Sequence, residues 1–123
     1  MLEQVVQILP QAYQQALRAW GDAPIEELRL RAGQVPSVVM DRRERPLAAQ
    51  AGTVPVTPEM LQRVLMAACR QSQYAVQEQL REGFLTIAGG VRIGVCGSAV
   101  VQGGRVAGIR EVSSLAIRIP REI

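Results

Sequence analysis

The sequence contains neither lysine nor histidine, and these two absences restrict its chemistry. Every basic side chain is an arginine, a permanently charged group that suits carboxylate or phosphate and serves poorly as a proton shuttle. Without histidine the chain has no Ser-His or Cys-His nucleophile pair and no HExxH zinc motif. Without lysine it has no complete P-loop, because that motif places a lysine on the β- and γ-phosphates. We therefore expect no self-contained hydrolase, no catalytic residue and no metal site in this chain.

Cysteines and aromatic residues are scarce as well, since the chain of 123 residues holds two cysteines and 3% aromatics. The core must therefore be built mainly from Leu, Ile, Val, Ala and Met. Cys69 falls in a predicted helix and Cys96 in a predicted strand, so we expect two buried free thiols in preference to a disulfide or metal pair. No apolar run reaches the roughly 20 residues of a membrane span, and no basic region marks a signal peptide. These patterns predict a cytoplasmic protein.

The residues that are present predict one α+β domain. Hydrophobic residues make up 48% of the chain and charged residues 20%, which is typical of a globular protein. A length of 123 residues suits a single domain with a substantial core. The net charge of +3 is compatible with an anionic partner without requiring one.

Apolar spacing and capping residues predict four helices. After a first short helix, a second begins at Pro10 and ends at Gly21. Thr57-Pro58-Glu59 opens the third, with threonine as N-cap, proline at the first helical position and glutamate at the positive end of the helix dipole. Ser72 is predicted to cap a fourth helix, which Gly83 ends.

Short segments with alternating apolar residues predict the strands of a small sheet. These segments cover residues 25–31, 35–41, 45–48, 84–88, 91–101, 105–109 and 115–119. Gly89-Gly90 supplies the positive φ of a tight hairpin turn, and Gly103-Gly104 supplies another turn. Pro120 ends the sheet pairing, and the abrupt stop after it predicts that the chain ends at a domain junction.

The hairpin around residues 83–101 organises the chain. Val91, Ile93, Val95, Ala99 and Val101 fall on one face of its second strand, which is predicted to be core. Arg92, Gly94, Cys96 and Ser98 fall on the other face. Glycines at 94 and 97 weaken a strand, so we expect a bend there or the close approach of a backbone or ligand.

Three more arginines also sit on non-core faces of predicted strands. Arg118 alternates with Ile117 and Ile119, and Arg29 and Arg31 alternate with leucines. For Arg29 and Arg31 two interpretations stay open: a domain or subunit interface, or a strand surface with salt bridges to Glu27. The cluster Arg42, Arg43 and Arg45, broken by Glu44, is predicted to be a solvated turn.

Five stretches resemble, in order, the N-terminal domain of the stage III sporulation protein AA family. They are ILP near the start, IEELRLRAGQVP, VTPEMLQRVL, YAVQEQLREGFLTIAGGVRIGVCGSAVV and SSLAIRIPRE. In that family a P-loop ATPase domain follows the segment matched here by IRIPRE. The resemblance therefore implies that residues 1–123 are a single N-terminal domain, and that ATP and Mg²⁺ act with an ATPase domain absent from this chain. Val91 stands where the family commonly shows histidine.

The family in turn resembles the motor ATPases of type II and type IV secretion and of type IV pili. Their N-terminal domains are PAS-like α+β units that form one ring of a hexamer, and their arginines reach the nucleotide phosphates. The resemblance implies N-terminal helices, a small mixed or antiparallel sheet with two further helices, and phosphate contacts from Arg92 and Arg118. It also implies a protein on the mother-cell side, recruited peripherally to the sporulation channel complex between mother cell and forespore. The expected partners are its own ATPase domain, neighbouring subunits and membrane proteins of that complex.

Two other functions remain open from the residues alone. The arginines could track the phosphates of a nucleic acid, although scarce aromatics and modest charge argue against it, so no nucleic-acid partner is expected. A PAS-like unit could instead sense a small molecule.

Overall fold

The computed structural model describes residues 3–48, 52–72, 74–103 and 105–120, except the side chains of 99–102, 105–108 and 110. The helices are α1 (Glu3–Ile8), α2 (Gln11–Ala19), α3 (Pro58–Arg70) and α4 (Val76–Arg81). The strands are β1 (Glu27–Arg31), β2 (Ser37–Met40), β3 (Arg43–Pro46), β4 (Phe84–Ile87), β5 (Val91–Gln102) and β6 (Arg105–Arg118). A single turn of 3₁₀-helix, Ala88–Gly90, joins β4 to β5.

The strands form one six-stranded antiparallel sheet in the order β3-β2-β1-β6-β5-β4. Side chains on one face of the sheet pack with the helices into a single core. The largest fully buried core side chains are Tyr13, Leu17, Leu28, Leu30, Leu61, Leu85, Ile87, Ile93, Leu115 and Ile117. The predicted α+β fold is confirmed, and the sheet is antiparallel rather than mixed.

The third helix begins as its sequence predicts. Thr57 has extended backbone angles, and its hydroxyl accepts a hydrogen bond from the amide of Met60 at 3.1 Å. Pro58 occupies the first turn, where its missing N–H leaves no intrahelical hydrogen bond unmade. Helix α4 begins differently. Its N-cap position is Ala75, which offers no side-chain hydrogen bond to the first amides of the helix.

The prediction that Ser72 caps α4 is therefore wrong. The hydroxyl of Ser72 donates to the carbonyl of Tyr74 at 2.9 Å, and its backbone forms an isolated bridge with Ile87. Ser72 therefore lies three residues before Ala75, the actual N-cap position, and its hydroxyl is engaged in a local turn instead of with the helix amides. The predicted stop is confirmed, because Gly83 follows α4 with φ +84°.

The two strands predicted at 105–109 and 115–119 are one strand, β6. A bulge keeps it continuous: Ser98 pairs with Arg110 and Cys96 pairs with Ser114, so three residues of β6 lie opposite Gly97 alone. Glu111 takes the strained φ of +54° within this bulge. A register shift therefore lies at Gly97, one of the two glycines where a bend or a close approach was expected, whereas Gly94 pairs regularly with Phe84 and Ala116.

The central hairpin has the predicted turn and facing. Gly89 and Gly90 have φ of +82° and +76°, and Val91, Ile93 and Val95 are buried. The side chains of Ala99 and Val101 lie outside the described part of the chain, as do Gly104 and residues 121–123.

Both cysteines are free, but only one is shielded. Cys69 is half-buried in α3, and burial raises the pKa of its thiol. Cys96 is exposed, so the expectation that it is buried is wrong. It lies on the face of β5 opposite the buried Ile93 and Val95.

Candidate functional site

The sheet face opposite the core carries the charged side chains of the strands, and we name it the open face. Its members are Glu27, Arg29 and Arg31 on β1, Ser37 and Val39 on β2, Glu44 on β3, Phe84 and Thr86 on β4, Arg92, Gly94 and Cys96 on β5, and Ser114, Ala116 and Arg118 on β6. Apart from the buried Ser37, these residues are half-buried or exposed. The predicted site residues Arg29, Arg31, Arg92 and Arg118 therefore all lie on the open face.

Backbone pairing aligns one row of residues across all six strands. Going from β4 to β3, the row is Thr86, Arg92, Arg118, Glu27, Val39 and Glu44. Arg92 and Arg118 are direct partners across β5 and β6. Like charges placed directly opposite each other on a sheet repel, so this pair favours an anion above it.

An aromatic ring supports Arg92. Its guanidinium lies 3.9 Å from the centroid of the Phe84 ring. Phe84 pairs with Gly94, which has no side chain, so nothing on β5 separates the ring from the neighbouring arginine. Such a cation–π contact contributes about 0.5–1 kcal/mol at an exposed site. Within the described residues Arg92 makes no ion pair, so its charge is not neutralised by a carboxylate.

Arg118 is exposed and is bound by the acidic side chain that follows it in the row. Its side chain is 74% exposed, and its Nε donates to Glu27 Oε1 at 3.1 Å. A cavity of about 280 Å³ opens beside this pair, lined by Glu26, Glu27, Arg29, Val39 and Arg118. The cavity gives a small polar group access to the guanidinium of Arg118.

Arg29 and Arg31 are held by acidic side chains of the same face. Arg29 binds Glu27 at 2.5 Å and Glu44 at 3.2 Å, and Arg31 binds Glu44. The hydrogen bond to Glu27 is the main cause that raises the pKa of Arg29. A 2.6 Å hydrogen bond from Ser37 is the main cause that lowers the pKa of Glu44, and Arg31 and Arg29 add to it. The predicted salt bridge to Glu27 is therefore present for Arg29. Arg31 forms its salt bridge with Glu44 instead.

A second, larger groove lies between α2 and the segments 45–48 and 52–54, with a volume of about 1230 Å³. Its polar aromatic groups already have partners. The Tyr13 hydroxyl donates to the carbonyl of Val54 at 2.6 Å, and the Trp20 indole donates to that of Leu47 at 2.7 Å. Both aromatic polar groups of the groove are thus already used within the protein, which gives little support to a small-molecule sensor.

The arginines do not form one continuous basic stripe. Arg45 pairs with Val38, on the face opposite Glu44, while Arg29, Arg31 and Arg118 on the open face are bonded to carboxylates. A nucleic acid that followed the arginines would have to contact both faces of the sheet. This geometry gives little support to nucleic-acid binding.

The described residues contain neither a cluster of metal ligands nor a membrane-spanning helix. No group of three or more Cys, Asp or Glu side chains comes close enough together there to hold a metal ion. No helix in these parts of the chain has the length and apolar character needed to cross a bilayer.

The fold is shared with a secretion ATPase. The chain matches the crystal structure of the VirB11 ATPase from the Brucella suis type IV secretion system, in complex with sulphate, with a TM-score of 0.51. The match covers 90% of this chain and 31% of that chain, at 19% sequence identity. At that identity the likeness concerns the architecture alone.

Sequence similarity shows the family. The family described as "Sporulation stage III, protein AA" matches residues 2–123. Stage III sporulation protein AA of Bacillus subtilis (strain 168) is 32% identical over 127 residues, which cover 98% of this chain and 39% of that relative. The chain therefore belongs to the sporulation stage III protein AA family, and it spans about two-fifths of the length of this relative.

The structure brings the predicted site residues onto one surface. Arg92, Arg118, Arg29 and Arg31 all lie on the open face, and the first two are adjacent. Their roles stay predictions. Sequence reasoning missed the pairing of Glu27 with Arg118, because 91 positions separate them and only the register of β1 on β6 brings them together.

Proposed function

We propose that this chain is the N-terminal domain of a longer secretion-type ATPase, in which it assembles subunits and closes over bound nucleotide. ATP and Mg²⁺ would be held by a following ATPase domain. The observation that carries the proposal is the direct pairing of Arg92 with Arg118 on the open face. Membership of the sporulation family and the fold shared with VirB11 support it.

The arginine pair has the chemistry that phosphate recognition needs. A guanidinium donates two parallel hydrogen bonds to phosphate oxygens and keeps its charge at every physiological pH. An anion bound between Arg92 and Arg118 would relieve the repulsion of the pair. Charge develops on phosphoryl oxygens during transfer, so these contacts would lower the barrier to turnover more than they would stabilise the fold.

In this proposal Arg29 and Arg31 form the edge of the contact surface on the open face. Their side chains are each 39% exposed although they are bonded to Glu27 and Glu44. A fixed array of charges of both signs suits a polar rim that sets the orientation of a partner. We propose that this rim contacts the ATPase domain or a neighbouring subunit of a hexameric ring. The ring would act in the mother-cell cytoplasm, recruited to membrane proteins of the channel complex that joins mother cell and forespore.

Substitution of the two arginines in the full-length protein tests the nucleotide role. Arg92→Ala or Arg118→Ala should lower the ATPase rate at least about tenfold, which is roughly 1.4 kcal/mol of transition-state stabilisation. Lysine should restore only part of the activity, because an ammonium cannot make the two-pronged contact. Arg63→Ala is the matched control, since Arg63 is an exposed arginine on α3, away from the open face. Full activity of the Arg92→Ala/Arg118→Ala double variant would remove the role from both residues.

The isolated 123-residue chain should neither hydrolyse ATP nor bind it tightly, because it has no lysine for a P-loop. The measurement is phosphate release by the purified chain beside a heat-treated control. Turnover above the control would contradict the assignment of hydrolysis to another domain.

A further inference from the structure

The carboxylate of Glu27 is divided between two arginines. Oε1 accepts from Arg118 Nε at 3.1 Å, and Oε2 accepts from Arg29 Nε at 2.5 Å. The side chain of Glu27 is only 13% exposed, whereas that of Arg118 is 74% exposed. Glu27 is therefore a shielded anion that binds one exposed guanidinium and one that is partly shielded.

The two arginines differ in what else binds them. Arg29 also contacts Glu44, which is fixed in turn by Ser37 and Arg31. Arg118 has Glu27 as its sole acidic partner within the described residues. If Arg118 leaves, Glu27 keeps the shorter contact to Arg29, so no shielded carboxylate is left without a counter-charge. Release of Arg118 is thus the low-cost rearrangement of this network, and release of Arg29 is not.

We propose that the carboxylate of Glu27 acts as a latch: it holds the guanidinium of Arg118 and competes with nucleotide phosphate for it. In the nucleotide-free protein Glu27 holds Arg118, and on closure the terminal phosphates of a nucleoside triphosphate take its place. Arg92 has no such latch, since Phe84 is its neighbour and no described carboxylate binds it. Glu27 therefore sets nucleotide affinity through Arg118 alone. This inference rests on the proposed function of Arg118.

The latch predicts that removal of a native salt bridge should increase the affinity for nucleotide, whereas loss of a native contact usually weakens binding. Exposed ion pairs contribute little, so Glu27→Gln should strengthen binding of a non-hydrolysable ATP analogue with Mg²⁺ by roughly two- to fivefold. The turnover number at saturating ATP should stay within about twofold of wild type, because Glu27 acts before the phosphate reaches Arg118. Glu3→Gln is the matched control. It removes the carboxylate of another exposed ion pair, the one with Arg18, on helices away from the open face, and analogue affinity should not change.

The experiment uses the full-length protein and a double-mutant cycle. Glu27→Gln should have no effect on affinity in the Arg118→Ala background, since the guanidinium it competes for is gone. A merely structural role for Glu27 would persist in that background and would overturn the latch. If Glu27→Gln folds poorly, Glu27→Asp keeps the negative charge but withdraws the carboxylate by one methylene, and it should tighten binding in the same direction.

The outcomes separate the latch from the proposed function. Weaker binding by Arg118→Ala, together with unchanged or weaker binding by Glu27→Gln, retains the phosphate role and rejects the latch. Unchanged affinity and turnover in Arg118→Ala rejects the phosphate role of Arg118, and the latch falls with it.

Discussion

Ile93 and Ile117 are fully buried partners across β5 and β6, one position along from the pairing of Arg92 with Arg118. Adjacent residue pairs of the same two strands therefore lie on opposite faces of the sheet. Ile93→Asp should bury an unpaired carboxylate in the core and lower the free energy of unfolding by at least about 3 kcal/mol. Arg92→Ala should cost about 1 kcal/mol or less, chiefly its contact with Phe84.

Chemical denaturation of the isolated domain measures both effects. Cys96→Asp is the matched control, because it places a carboxylate on the exposed side of the same strand and should change stability little. Equal destabilisation by Ile93→Asp and Arg92→Ala would contradict the two-faced sheet.

The N-cap of α3 gives a second prediction. Thr57→Ala removes the acceptor for the Met60 amide and should lower the free energy of unfolding by about 1 kcal/mol. Thr57→Ser should retain most of the stability, since serine offers the same hydroxyl. The comparison is made by denaturation under identical conditions. A neutral Thr57→Ala would mean that water satisfies the amide equally well.

The lowered pKa of Glu44 predicts how stability depends on pH. Its cause is first the hydrogen bond from Ser37 and then the charges of Arg31 and Arg29. Because the folded pKa is below the unfolded value, the ionised carboxylate stabilises the fold fully above a pH of about 4.3. That contribution declines as the pH falls further and is gone below the folded pKa.

Comparison with Glu44→Gln isolates this contribution, because glutamine does not titrate. The stability difference between wild type and Glu44→Gln should be constant from neutral pH to about 4.5 and should shrink below it. In a Ser37→Ala background the loss of the Glu44 contribution should be complete at a higher pH, because the hydrogen bond that most lowers the pKa of Glu44 is removed. A difference that already shrinks between pH 7 and 5 would be incompatible with a lowered pKa.

The two thiols should react at different rates with an alkylating reagent at pH 8. Cys96 is exposed and should be labelled first. Cys69 is half-buried and burial raises the pKa of its thiol, so its reactive thiolate is less populated and less accessible. Mass spectrometry over time should show one fast and one slow label, and Cys96→Ser should retain only the slow one. In denaturant both should react quickly. A fast label in native Cys96→Ser would contradict the burial of Cys69.

Local signals predicted those parts of the fold that depend on neighbouring residues. The cap at Thr57, the glycine turn at residues 89–90 and the alternation of β5 follow from short stretches of sequence. The division of β6 into two predicted strands failed because Arg110, Glu111, Ser113 and Ser114 surround Val112 and obscure the apolar alternation. Pairing with β5 maintains the strand through that run, with Glu111 in the bulge, and this pairing is a long-range interaction.

The same limit applies to the candidate site. Alternation placed Arg92 and Arg118 on non-core faces, and the resemblance to secretion motors proposed their common role. Neither could place them side by side, because strand order and register are set by the packing of the whole sheet. The contact between Arg118 and Glu27 is hidden from sequence for the same reason. Glu44 likewise stood out only as a break in a basic cluster, whereas its register with β2 makes it the partner of Arg31.

The bulge at Glu111 divides β6 into two parts that pair with different numbers of strands. From Ser114 to Arg118 the strand pairs with β1 on one side and β5 on the other, while from Arg105 to Arg110 it pairs with β5 alone. Backbone amides bonded in a two-stranded ribbon exchange with deuterium through local opening, whereas those inside a sheet require more extensive unfolding. The backbone amides of Arg105–Arg110 should therefore exchange faster than those of Ser114–Arg118, the part of β6 that carries the Arg92–Arg118 pairing.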